Sequence, residues 1–263
     1  MTDFRFYAGV AATYERIRSP ITRQVASDLV ALAGQAARLL DVGTGTGVAL
    51  DAVVAALPGA KAVGADRSLE MLATGRNARP AARLAAAEAN KLPFRNETFD
   101  VVLANFVLAE LSHYDTVLFD LTRVLRRGGR VAASTWVWEI DELTRTWLQL
   151  VEESIGQEMI ASARQEASPW DERFGNRDGL EEALRDAGFH PVHVERRSYR
   201  FAMSRDDYIQ EQSTRTLGRF VREMLGDRDW QAFLERARVV YERTFPPEIQ
   251  DTRDVLFAVG TKP

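Results

Sequence analysis

Cysteine is absent from the 263-residue chain and histidine occurs three times. Without thiols there is neither a disulfide framework nor a thiolate metal site, and so few imidazoles do not make a metal cluster, so no metal is expected. Lysine is confined to Lys61, Lys91 and Lys262. Positive charge rests on arginine scattered among acids, and the formal net charge is -4. That balance lacks the basic footprint of a nucleic-acid binder, so no nucleic-acid partner is expected. No segment approaches the ~20 consecutive apolar residues of a membrane span. The stretch MTDFRFYAGV has no basic region followed by an apolar run. A chain neither exported nor membrane-embedded is expected, with a cytoplasmic location. Internal repeats and low-complexity segments are also missing. What is present is 46% hydrophobic residues, enough for one large core, and a single domain over residues 1–263 is the expectation.

The most informative stretch is LLDVGTGTG, Leu39 to Gly47. Ala37 to Val42 is a short apolar run bounded by Gly34 and Gly43, which suits a strand buried on both faces of a parallel sheet. Val48 to Leu57 then carries apolar residues at helical spacing and stops at Pro58-Gly59. The glycines between form a tight strand-to-helix turn, where only glycine lets backbone approach a ligand closely. A dinucleotide site would require G-x-G-x-x-G, but Val48 stands where the third glycine belongs. Asp41 argues further against a pyrophosphate. Its carboxylate would repel phosphate, whereas it attracts the ammonium of a methionine moiety and the sulfonium region near it. An ordinary strand-to-helix turn is the alternative. A second strand, Lys61 to Ala65, ends in Asp66, a candidate to accept hydrogen bonds from both ribose hydroxyls. Asp66 also suits a helix N-terminus on electrostatic grounds, and the two roles coexist.

With GADRSLEML and AEANKLPFRNETFDVVLANFVLAEL, from Ala87 to Leu111, this pattern resembles the class I S-adenosylmethionine-dependent methyltransferases. It is similar to their small-molecule branch, which includes enzymes of ubiquinone and menaquinone biosynthesis. The resemblance runs from about Tyr7 to Trp136 and resumes at the final strand. It implies an α/β, Rossmann-like fold: a seven-stranded, mostly parallel sheet of order 3-2-1-4-5-7-6, helices on both faces and a helical cap. It implies S-adenosyl-L-methionine as cofactor, with Asp41, Gly43, Thr44, Gly45 and Gly47 at the turn and Asp66 on the ribose. Glu88 and Ala89 match the adenine-edge positions, and Asn105 with Phe106 the position beside the sulfonium. Arg67 and Met71, from the GADRSLEML segment, fall in the cofactor set as well. Tyr14 and Arg18 lie on a stretch similar to the family's N-terminal helix that closes over the cofactor. Arg123 to Gly129 departs from the family's R-V-L-x-P-G-G only in Arg127, which replaces proline and affects a turn more than a site.

Around that core the sequence predicts helices over Phe4 to Arg18 and Ile21 to Leu32, with Ser19 as N-cap and Pro20 at the first helical position. Strands are predicted near residues 38–43, 60–66, 83–87, 98–104 and 129–135, then Pro191 to Phe201 and Val255 to Val259. A helix over residues 113–126 buries Val117, Leu118, Leu121, Val124 and Leu125. Cap elements are expected from residues 1–34, 136–176 and 203–250. Trp136, Trp138, Trp147 and Trp170 in the first insertion, and Phe220, Met224, Leu225, Trp230, Phe233 and Tyr241 in the second, fit core packing between cap and sheet. Some of them should line an apolar, aromatic-rich acceptor site rather than a phosphate-binding one.

The expected partner is a small, partly apolar acceptor molecule, methylated on oxygen, nitrogen or carbon. Phe106 and Tyr14 are candidates to favour a cationic sulfonium; helix packing is the other reading of Tyr14. A hydroxyl acceptor would require a base. His113 is the catalytic candidate for that case, against a helix start pointing at solvent. The alternative function is a methyltransferase-like protein that binds the cofactor but acts as a ligand-binding or cyclising protein, since fold does not fix function.

Overall fold

The computed structural model describes residues 9–137, 139–161 and 169–263. The apolar run after Gly34 forms β1 (Arg38–Val42), whose two-residue period sends successive side chains to opposite faces. Leu39 packs with Val25, Leu29 and Val53 on one face, while Leu40 and Val42 join Leu121, Phe174 and Leu184 on the other. β4 (Phe99–Asn105) repeats the division: Val101 and Leu103 lie on the first side, Val102 and Ala104 on the second. Strands apolar on both faces need a layer of helices on each, and this places β1 and β4 in the middle of the sheet.

β2 (Lys61–Asp66) and β3 (Leu84–Ala86) lie on one side of β1, with β4, β5 (Leu125–Trp136), β7 (Glu248–Thr261) and β6 (Val192–Ser204) on the other. The order is β3-β2-β1-β4-β5-β7-β6, as the resemblance implies, and β7 runs antiparallel to β5 and β6. α1 (Ala11–Ala33) and α2 (Val48–Ala56) cover the first face. The second is covered by α4 (Tyr114–Val124), with α6 (Asp171–Phe174) and α7 (Arg177–Asp186). α3 (Leu69–Ala78) follows β2, capped by Ser68 Oγ, which accepts from Met71 N–H. No helix among the described residues is long and apolar enough to cross a membrane.

Two local readings are corrected. Ser19-Pro20 does not separate two helices: α1 runs through Pro20 without a break. Ser19 Oγ donates to Glu15 Oε2 at 2.7 Å instead of capping a helix. Ile17, Ile21 and Val25 on either side are buried, so packing of this face outweighs the hydrogen bond that proline removes. β6 and β7 are also longer than their apolar runs, pairing from Val192 with Gly260 to Ser204 with Glu248. Residues 248–254, polar apart from the buried Ile249, have little strand character of their own and take it from this ladder, so residues 248–250 leave the second cap segment. The predicted helix stretch from Phe4 to Ala8, including Tyr7, lies outside the described residues, as does Trp138.

The two insertions pack against each other. α5 (Glu142–Ile155) meets α8 (Arg205–Thr214) and α9 (Thr216–Thr244), which kinks at Gly226. Trp147, Tyr208, Trp230, Phe233 and Tyr241 form their common core. Tyr241 donates to the Leu143 carbonyl at 2.7 Å, which joins α9 to α5. Met224 is exposed, and Trp170 meets Tyr114 edge-on at 4.8 Å beside the sheet instead of entering the cap core.

Candidate functional site

β1 delivers the chain into Gly43-Thr44-Gly45-Thr46-Gly47, and a cavity of about 730 Å³ lies at this end of the sheet. Gly43 has φ 66, and a Cβ there would stand 2.3 Å from Val107 Cγ2, so backbone strain and space both require glycine. Gly43 and Gly45 line the cavity. Gly47 lines neither it nor the small pocket beside it; with φ 92 it caps α2, so its part is in the turn. Thr44 turns inward, its Oγ1 donating to Asp41 Oδ2 at 2.5 Å.

Asp41 is 1% exposed, and its Oδ1 has no hydrogen-bond partner. It lies in the small pocket, which shares Tyr14, Gly43 and Asn105 with the main cavity. Burial pushes its carboxyl up to about 7 against the Thr44 hydrogen bond, and the nearby Asp66 charge adds to the rise. An orphaned buried carboxylate oxygen calls for a cation. Linkage gives this a measurable sign. The native pKa stands above the ordinary value of 3.8, so the protein loses stability as pH rises from that value towards the native one. Asp41→Asn keeps an oxygen for Thr44 and removes the charge. In thermal denaturation of the ligand-free protein the variant should match wild type near about pH 4 and exceed it at about pH 8, by on the order of 2–4 kcal/mol. A gap that stays constant over this range would contradict the assignment.

Asp66 ends β2 and lines the cavity. Its Oδ2 accepts Gly45 N–H at 2.7 Å and its Oδ1 accepts Ser68 N–H at 2.8 Å. The carboxylate thus joins the glycine turn to the start of α3 and is held in one orientation. Burial raises its pKa, opposed by the Ser68 and Gly45 hydrogen bonds. Both the helix-start role and the cavity-lining role are therefore realised. Arg67, Met71, Glu88 and Ala89 also line the cavity, Glu88 as an exposed side chain.

Asn105 ends β4 and Phe106 follows it. Asn105 Oδ1 accepts from Ser134 Oγ at 2.7 Å, and Phe106, with φ 56, stacks on Trp136 at 4.2 Å. A positive φ in an aromatic residue is uncommon and points to a constrained site. Arg253 lies over the far-reaching Trp136 ring at 5.6 Å. From α1, Tyr14 and Arg18 complete the wall, with the Arg18 guanidinium over the Tyr14 ring at 5.6 Å. Burial raises the Tyr14 pKa although the Arg18 charge opposes it. His113 lines the cavity and is exposed at the first turn of α4, where it occupies the N-cap position without a side-chain capping bond.

The structure thus gathers twelve of the predicted residues on one cavity: Tyr14, Arg18, Gly43, Gly45, Asp66, Arg67, Met71, Glu88, Ala89, Asn105, Phe106 and His113. Asp41 and Thr44 stand in the adjoining pocket. A strap that ties α1 to the glycine turn escaped the sequence reading. Glu15 accepts from Thr46 Oγ1 at 2.6 Å, from Ser19 Oγ at 2.7 Å and from Arg79 Nη2 at 2.9 Å. Arg79 in turn donates to Asp51 Oδ2 at 2.8 Å and to the Thr46 carbonyl at 3.1 Å. The strap joins three stretches distant in sequence, around residues 15–19, 46–51 and 79, so no local signal announces it. The cap contribution from Gln212 to Arg219 was missed for the same reason.

Residues 40–133 match the methyltransferase domain family. The chain is similar to the malonyl-[acyl-carrier protein] O-methyltransferase of Methylococcus capsulatus, 30% identical over 74% of this chain and 65% of that one. It is 40% identical to the demethylmenaquinone methyltransferase of Streptomyces avermitilis over 41% of this chain and 46% of that one. The alignments therefore span less than two thirds of either relative's length. The fold is shared with phosphoethanolamine N-methyltransferase 2 of Haemonchus contortus, solved in complex with S-adenosyl-L-methionine. That match has a TM-score of 0.60 at 17% identity and covers 100% of this chain and 60% of that one.

Proposed function

We propose that this chain, whose residues 40–133 match the methyltransferase domain family, transfers a methyl group from S-adenosyl-L-methionine to a small, partly apolar molecule. The observation that carries the reading is the pairing of Asp41, buried with an unpartnered oxygen, and Asp66, held by two backbone donors, at either side of one glycine turn. The residues fit that cofactor. Asp41 suits its ammonium, Asp66 its ribose, Glu88 and Ala89 its adenine edge, and Tyr14 and Phe106 its cationic centre. When bound, it supplies an electrophilic methyl group.

The protein's share of such a displacement is to align the acceptor lone pair and exclude water. Phe106 and Trp136, stacked at 4.2 Å, form a rigid aromatic wall for this purpose. The strap through Glu15 and Arg79 holds α1 against the turn, so Tyr14 and Arg18 close the cavity from that side. Incubation with methyl-labelled cofactor and a metabolite extract, followed by mass spectrometry, tests the reading. A labelled small-molecule product supports it, and cofactor binding without any labelled product favours the cyclising or ligand-binding alternative.

For a hydroxyl acceptor, His113 at the cavity wall takes the proton. Turnover of His113→Gln should then fall by about 10² or more, the scale of general-base assistance, with cofactor affinity unchanged. Turnover of the two proteins with a hydroxyl acceptor checks this, and equal rates would remove His113 from the chemistry.

A further inference from the structure

The junction of α8 and α9 adds Gln212, Thr214, Arg215 and Thr216 to the cavity wall, and none of them belongs to the residues proposed to hold the cofactor. Behind this wall Glu211, 0% exposed, accepts from Arg18 Nη1 at 2.9 Å, Arg215 Nε at 3.1 Å and Arg253 Nη1 at 3.2 Å. One carboxylate serves three guanidinium groups. Arg253 has a second partner, Asp251, at 2.5 Å. Asp141 interacts with Asp251, and its Oδ1 accepts the Thr144 N–H. Arg18, Arg215 and Gln212 line the cavity, whereas Glu211, Asp251, Asp141 and Arg253 are not part of its wall. The charged side chains that α1, α8 and α9 bring to the cavity are arginines, Arg18, Arg215 and Arg219, with the Glu211 carboxylate set behind them.

Two further observations point to an anionic ligand at this wall. Gln212 is 3% exposed, and its side-chain nitrogen has no hydrogen-bond partner. A buried donor left unmade costs ~1–3 kcal/mol, and a ligand oxygen would remove that cost. Next to it α9 starts at Thr216 with Arg215 as N-cap and no side-chain cap, so its first N–H groups and positive dipole end favour an anion. The Arg215 guanidinium is held below its usual range by burial, in spite of Glu211, and the charges of Arg253 and Arg18 add to the fall.

We propose that this wall anchors a carboxylate on the acceptor, so the substrate is an organic acid whose carboxylate meets Arg215 and Gln212. Its apolar body lies along Ile140, Trp147, Leu148 and Leu217, which line the same cavity. The planar guanidinium fork matches a carboxylate. The single guanidinium fork of Arg215 beside the Gln212 amide suits a monoanion better than a phosphate dianion. The word acceptor rests on the methyl-transfer reading; the anion site does not.

Binding of matched pairs of acids and their amides separates the two. The probes are hexanoate, octanoate, benzoate, phenylacetate and 2-naphthoate, each against its amide, with phenyl phosphate as a dianion. Titrations are run with and without S-adenosylhomocysteine, whose own binding is measured first. Wild type should bind the better acids about tenfold or more tightly than their amides, the worth of a charge-assisted hydrogen bond. Arg215→Gln should bring that ratio close to one, and Gln212→Leu should weaken acids more than amides. Both variants should still bind S-adenosylhomocysteine. Equal affinity for acids and amides in wild type, a preference that survives in both variants, or phenyl phosphate as the tightest probe would each overturn the proposal. An acid preference in a protein that does not bind S-adenosylhomocysteine would leave the anion site standing and refute methyl transfer.

Discussion

Glu211→Ala should lower the stability of the ligand-free protein by about 3–5 kcal/mol, the usual consequence of stripping the counter-charge from buried cations. Glu211 is fully buried, and Arg18, Arg215 and Arg253 all donate to it. Burial opposes its ionisation, yet the charges of Arg215, Arg253 and Arg18 hold its carboxyl well below the usual range. Its native pKa is thus depressed, so its contribution is full above the ordinary carboxylate pKa and fades as pH falls through the native one. At neutral pH the thermal midpoint should drop by roughly 10 °C, since each kcal/mol is worth about 2–4 °C in a chain of this size. Glu211→Gln should fall between, as it keeps one acceptor oxygen. A shift below about 3 °C would mean that the three arginines find water or other partners, and the cationic wall would lose its structural basis.

Asp66→Asn should weaken binding of S-adenosylhomocysteine by at least about tenfold, because a carboxylate that accepts from two ribose hydroxyls loses its charge assistance. The amide is a better probe than alanine. Asp66 also accepts the Gly45 and Ser68 N–H groups, and alanine would leave both donors unpartnered and mix a loss of stability with a loss of affinity. With asparagine one of these bonds persists. Calorimetry should show the fall in affinity with only a small change in the thermal midpoint of the free protein. An unchanged dissociation constant would confine Asp66 to holding the turn and the start of α3.

What could be read from the sequence and what could not divide along physical lines. The central strands were legible because β1 and β4 are apolar on both faces, and the glycine turn because Gly43 has no room for a Cβ. Short-range chemistry of this kind leaves its mark within a few residues. Pro20 misled because a local breaker was overruled by a face buried on the sheet and turn. The length of β6 and β7 was hidden because residues 248–254 are polar apart from Ile249 and gain their strand form from pairing with β6. The acids and arginines away from the glycine turn were the least legible. Glu15 meets Thr46 and Arg79, and Glu211 meets Arg18 and Arg253, across long stretches of chain. No spacing rule links such residues before the fold is known.

The central claim is that the turn between Asp41 and Asp66 is a cofactor site, and isothermal titration of the purified protein with S-adenosylhomocysteine tests it most directly. The account predicts saturable binding at one site per chain, with a dissociation constant in the ~1 µM to 1 mM range usual for enzyme ligands, weakened in Asp66→Asn. No binding heat by wild type at about 1 mM ligand, confirmed by an unmoved thermal midpoint, would contradict it.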